Sequence, residues 1–171
     1  MNNRWRRLAA ILLLSASGAA VAAQTCRTDI APTAPDSRFT DHGDGTVSDA
    51  ATGLVWKRCA EGLSGAGCAS GAVSTFTWQN ALQRAADADF ADRTDWRLPN
   101  KNELESLVER RCYDPAINAT FFPNTPSSWI WSASPYAGYP NYAWLVGFPN
   151  GSVYYGGKYG AGSVRLVRGG Q

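Results

Sequence analysis

Helical periodicity occupies only two stretches of this chain, and both lie before residue 115. Trp78, Ala81, Leu82 and Ala85 recur at three- and four-residue spacing behind Thr77, a residue suited to an N-cap. That pattern predicts a helix from Trp78 to about Ala88. Asn100 with Glu103 three residues on has the form of a capping box. It opens a second predicted helix through Leu104, Leu107 and Val108, with Arg110 and Arg111 in the last turn, where cations complement the carbonyl end. Before these helices, Phe39-Thr40 and Thr46-Val47-Ser48 flank the turn Asp41–Gly45, and a second turn, Asp49–Gly53, leads into Leu54-Val55-Trp56. After Pro115 the pattern changes. Trp129-Ile130-Trp131 reads as a strand, and Tyr142 to Phe148 alternates with Tyr142, Trp144, Val146 and Phe148 on one face. Asn150-Gly151 then turns the chain into Ser152–Tyr155, and Val164–Val167 supplies a closing strand. This order implies a single α+β domain, with two helices packed on an antiparallel sheet and a long loop-rich C-terminal half.

The N-terminal residues change the count of what folds. Arg4, Arg6 and Arg7 precede an apolar run, Leu8–Leu14, and a small-residue stretch ending Ala20-Val21-Ala22-Ala23. This is the form of an export signal over 1–23, cleaved after Ala22 or Ala23, and its apolar run is too short to span a bilayer. Residues 24–37 are a Pro- and Ala-rich extended lead-in, and 38–171 form one domain. In an exported chain four cysteines read as two disulfides. Cys59 and Cys68 flank a short Gly/Ser-rich loop and are paired, which leaves Cys26 with Cys112. A zinc site lacks both a C-x-x-C pair and a second histidine beside His42.

Charge and composition then separate the two halves. Without its signal the chain carries thirteen basic against fourteen acidic side chains, so its basic pI gives no reason to expect nucleic acid. Residues 24–114 carry −4 and residues 115–171 carry +3, the latter from Lys158, Arg165 and Arg168 with no acid at all. Ten of the twenty aromatic residues fall between Trp129 and Tyr159, among Gly, Ser, Pro and Asn. Tyr and Trp offer rigid surfaces with a polar tip, and small polar neighbours let them sit on short turns, a composition suited to recognition. Strand alternation assigns Trp131, Trp144, Val146 and Phe148 to the core. The candidate ligand-binding residues are therefore Tyr136, Tyr139, Asn141, Tyr142, Tyr154, Tyr155, Lys158 and Tyr159, with Arg165 or Arg168 as further cations for an anionic group.

No constellation for catalysis or metal binding competes with this reading. His42 sits on a turn without a nucleophile motif, and Glu103 and Glu105 are two apart on a helix and face different directions. Asp41, Asp44 and Asp49 lack the spacing of an EF-hand calcium loop and are expected to cap their own turns. Asp87, Asp89, Asp92 and Asp95 are expected to face water beside Arg93 and Arg97 as ion-pair partners. No catalytic residue, metal or cofactor is assigned.

Several blocks together resemble the C-terminal domain of the Lcl collagen-like adhesin. They are Asp41–Asp49, Ala51–Trp56, Asp95-Trp96-Arg97-Leu98-Pro99-Asn100 with Glu103-Leu104, Trp131-Ser132-Ala133, Ala143–Phe148 and Val164–Arg168, in family order. The resemblance implies an extracytoplasmic domain with a C-type-lectin-like fold, and in the namesake adhesin this domain is associated with sulfated glycans. His42, Ala133 and Leu166 stand where the family usually has Asn, Ser and Cys. The expectation is an exported, non-catalytic binding module for glycans, including anionic ones, periplasmic or secreted and not inserted in the membrane. The alternatives are a module that binds an envelope or surface protein, or an envelope enzyme.

Overall fold

The computed structural model describes residues 24–170, so the expected export signal at 1–23 lies outside the described residues. The lead-in carries β1 (Thr25–Cys26) and a single 3-10 turn at Asp36–Arg38. Then come β2 (Phe39–Asp41), β3 (Thr46–Asp49), β4 (Leu54–Lys57), β5 (Leu63–Ser64), β6 (Ser70–Gly71) and β7 (Thr75–Phe76). Helices α1 (Trp78–Ala86) and α2 (Lys101–Glu105) and the short β8 (Cys112–Tyr113) follow. The remainder holds the longest strands, β9 (Trp129–Pro135), β10 (Tyr142–Gly147) and β11 (Ser152–Gly157), and ends with β12 (Gly162–Ser163) and β13 (Val167–Gly169).

Local chemistry accounts for the first hairpin. Asp41 accepts from the Gly43 amide, and Asp44 accepts from both the amide and the hydroxyl of Thr46, which fixes the turn. Gly45 completes it at φ 87°, a conformation that would strain any side chain. The carboxylates expected to cap their own turns do so. β2, β3, β4 and β13 form one antiparallel sheet in the order β13-β4-β3-β2.

A second sheet has the order β11-β10-β9-β12-β7, antiparallel except for one parallel step between β9 and β12. Trp131 lies opposite Leu145, and Ile130 opposite Val146, so these neighbours point to opposite faces. One face, with Trp131, Ala143 and Leu145, packs with Ala81 and Ala85 of α1. The other, with Ile130 and Val146, packs with Leu104 and Leu107 of α2 and the segment after it. Each large apolar side chain so buried contributes about 1.5–3 kcal/mol. Antiparallel pairing and two helices on a sheet are present as expected, but there are two principal sheets where one was expected. The C-terminal half is strand-rich.

Three element boundaries differ from the sequence pattern. α2 stops at Glu105 because Ser106 turns its hydroxyl back onto the Glu103 carbonyl, and Leu107 and Val108 continue with i→i−3 bonds into the core. Arg110 and Arg111 therefore lie beyond the helix. The closing strand is split. Val164–Leu166 runs buried between β12 and β13, and its carbonyls accept from Glu61 and Lys57, which ties the two sheets together. Trp144 is half-buried and lies outside the core that Val146 and Phe148 share with Leu104, with only the Lys101 side chain at the start of α2 and two tyrosine rings against it.

Both expected disulfides are present, Cys26–Cys112 across 86 residues and Cys59–Cys68 across nine. The first fixes β1 against β8. Glu109, almost fully buried, holds the lead-in by accepting from the Thr33 and Ala34 amides. No helix of the described residues is long and apolar enough to cross a membrane.

Candidate ligand-binding surface

The block Asp95–Glu103 shows how a sequence motif becomes a frame for this surface. Trp96 and Leu98 enter the core, while Arg97 exchanges backbone hydrogen bonds with Val167 of β13. The Pro99 carbonyl accepts from Ala133 of β9, and Asn100 caps α2 while Glu103 returns a carboxylate to the Asn100 amide. Arg97 grips the same Glu103 through two bonds of 2.7 Å. That fork holds the Glu103 carboxyl below the usual carboxylate range, against the opposing effect of burial. One motif thus joins both sheets and the start of α2. Arg97 pairs with Glu103 and not with the neighbouring aspartates. Asp95 lies 3.8 Å from Arg168 instead.

On that frame β9, the loop after it, β10 and β11 bring five of the six sequence-predicted tyrosines into one group of ring contacts. Tyr136 stacks on Tyr155 with ring centroids 4.1 Å apart and planes 5° from parallel. Tyr154 stacks on Tyr155 in turn at 4.9 Å and 8°. Trp144 meets Tyr136 and Tyr155 edge-on, and Tyr139 and Tyr142 flank them in tilted and edge-on pairs with centroids 5.6–6.0 Å apart. The Tyr155 phenol is held above its ordinary pKa, first by Tyr136 and then by Tyr154, whose charges would oppose its ionisation. Tyr139, Tyr142 and Tyr154 are exposed, at 58%, 37% and 57%. Tyr159 is 86% exposed on the turn after β11 and stacks on none of these rings. Asn141 is exposed, and its carbonyl accepts from the Lys158 amide.

The cations are placed differently from expectation. Arg165 is wholly buried, so it cannot meet a ligand. Its guanidinium donates to the Lys57 and Arg58 carbonyls and to Thr125 Oγ1 at 2.7 Å, and lies over the Phe122 ring. Burial pushes it down to about 9, which still leaves it charged at neutral pH. Arg168 belongs to β13 in the other sheet. Lys158 does border the aromatic group, but its ammonium donates to the Pro140 carbonyl at 2.6 Å and lies 4.3 Å from the Trp78 ring centroid.

Two residues of this surface were not singled out from sequence. Trp129, 39% exposed, contacts Tyr154 at 6.0 Å and lies across Gly147, where a Cβ would come within 2.9 Å of its ring. Its position two residues before Trp131 was the available signal, since alternation puts both on one face. Lys101, the first residue of α2, sits 5.4 Å from the Trp144 ring centroid. Nothing in its local sequence distinguishes it from other helix-start residues.

Away from this surface, a cleft of about 650 Å³ separates the Asp41–Gly45 turn from the Cys59–Cys68 loop. Its cations are already engaged. Lys57 bonds Glu61 at 2.6 Å, and Arg58 lies 3.5 Å from Asp41. His42 meets Ser48 across the first hairpin at 2.5 Å, an exposed contact that the sequence reading did not anticipate.

The architecture and the motif blocks converge with the comparison to known families. No curated protein matches the chain. A family model described as the Lcl C-terminal domain matches residues 45–168, from the first hairpin turn to β13, and the chain belongs to that family.

Proposed function

We propose that this chain is an exported, non-catalytic binding module whose aromatic C-terminal surface takes glycans. The observation that carries the reading is the continuous group Trp129, Tyr136, Tyr139, Tyr142, Tyr154 and Tyr155, held by mutual ring contacts on a disulfide-tied scaffold and exposed at Tyr139, Tyr142 and Tyr154. Rings already locked against one another lose little side-chain freedom on binding, so more of each contact appears as affinity. Sugar rings present C–H faces that pack on such aromatics while their hydroxyls meet phenol tips. Lys158 and Lys101 at the margin are the groups through which an anionic glycan would gain attraction. A C-type-lectin-like architecture is supported by family membership and by helices packed on antiparallel strands. Two disulfides support an oxidising, extracytoplasmic compartment, periplasmic or extracellular.

A second reading rests on β11, the edge strand of its sheet, whose Ser152–Gly157 segment carries no charge or proline to discourage pairing with a protein segment. A glycan array probed with the purified chain separates the two. Binding that is lost in Tyr154→Ala and Tyr155→Ala supports the glycan reading. Capture of an envelope protein that excess polysaccharide does not displace supports the second.

A further inference from the structure

Beside the stacked tyrosines, on the α1 side of the sheet, lies a slot of about 210 Å³. Trp129 and Tyr154 form its walls, inclined at 52° with centroids 6.0 Å apart. Gly156, Gly157 and Gly160 form its floor, above Trp131. The glycines make the space. A Cβ on Gly156 would come to 3.0 Å from Leu145 and 3.8 Å from Trp131, two of the side chains that line the slot. Trp131 itself is committed, since its indole donates to the Phe76 carbonyl at 2.9 Å. None of the lining side chains is charged.

The centre of the aromatic group offers less open ring face. Tyr155 is stacked against both Tyr136 and Tyr154, and Trp144 turns toward both Tyr136 and Tyr155. The cations are engaged elsewhere. Lys158 is held by Pro140 and Trp78, Arg165 is buried, and Lys101 lies against Trp144.

Building on the glycan reading, we propose that the Trp129–Tyr154 slot is the primary sugar subsite and that it takes an uncharged hexopyranose unit. One C–H face of the sugar packs on an aromatic wall, and the glycine floor lets its rim approach the backbone. The anionic substituents that Lys101 and Lys158 could attract are not required for binding. An uncharged slot also makes the affinity insensitive to salt, because no ion pair is there to screen.

The test is an array carrying the same glycan backbones in neutral and sulfated form, probed at low and high salt. The proteins are the wild-type chain, Trp129→Ala, Tyr154→Ala and Gly156→Val, with near-UV circular dichroism to confirm folding. Tyr154 is exposed enough for its truncation to leave the core intact. The expected result is binding to neutral backbones, unchanged by salt, and weaker by about tenfold or more in each variant. Neutral-glycan binding that survives both Trp129→Ala and Tyr154→Ala overturns the slot while the glycan reading stands. Binding only to sulfated forms, lost at high salt, overturns the neutral-ring assignment alone. No glycan binding by the wild type overturns both.

Discussion

Arg165 is the position at which a wrong structural account would be most costly, because a fully buried cation has no carboxylate bonded to it. Replacing it by Ala removes the side-chain donor from the Lys57 and Arg58 carbonyls, while the Thr125 hydroxyl keeps its own bond to the Phe122 carbonyl. Each unsatisfied group costs about 1–3 kcal/mol, and the lost side chain leaves a void against Phe122. Together these place the cost of Arg165→Ala at about 4–6 kcal/mol, a large share of the roughly 5–15 kcal/mol that holds a domain of this size. Arg165→Met keeps most of the volume and removes the cost of burying a charge, so it is expected to be milder than Ala. Arg165→Lys keeps the charge but loses the planar fork that reaches two carbonyls at once. Urea unfolding of the oxidised chain measures the series. The midpoint for Arg165→Ala is expected to fall by about 2 M or more with the slope unchanged, whereas Arg110→Ala, on the surface, moves stability by about 0.5 kcal/mol or less. An Arg165→Ala protein within about 1 kcal/mol of wild type would show that the guanidinium is not the tie between Val164–Leu166 and the β4 strand end.

Three further outcomes follow from the same geometry. Replacing Cys26 and Cys112 by Ala should cost about 4–5 kcal/mol against about 2.5 for Cys59 and Cys68, because the first closes an 86-residue loop and the second a nine-residue one; thermal melts of the two double variants check the order. Glu103→Ala removes both the capping box and the Arg97 fork and should cost about 1–2 kcal/mol, with a double-mutant cycle against Arg97→Ala showing coupling. Asp49 is buried, which raises its pKa, but the hydrogen bonds from Arg38, Thr52 and Ala51 outweigh this and hold it low; Asp44 and Glu103 are also held low. Stability from these carboxylates is present above their unfolded pKa values near 4 and is lost as pH falls through the lower folded values. A urea midpoint that is flat from pH 7 to about 5 and then falls steeply in acid is the expected profile.

Much of the local structure was legible because local rules govern it. Thr77 caps α1, Asn100 and Glu103 form a reciprocal cap, and Asp44 and Gly45 shape the first turn, each through contacts within three residues. The cysteine pairing followed from loop length. What remained hidden depends on contacts distant in sequence. Arg165 looked like a surface cation because nothing nearby announces that Lys57, Arg58 and Thr125 converge on it from about 40 and 107 residues away. Trp144 alternates with core residues, yet it is met by the Tyr136 and Tyr155 rings and by the Lys101 ammonium at the start of α2, and it stays outside the core built on Leu104. The sequence could place tyrosines together, but not show that Tyr155 stacks on Tyr136 and Tyr154, or that Trp129 faces Tyr154 across a glycine floor.

Tyrosine nitration read by mass spectrometry tests the binding surface most directly, because the chain carries its own control. Tyr113 is exposed at 45% on β8, outside the aromatic group. With a saturating glycan bound, Tyr139, Tyr142 and Tyr154 should be protected while Tyr113 reacts at its free rate. Protection of Tyr113, or none at any of the three, would contradict the account.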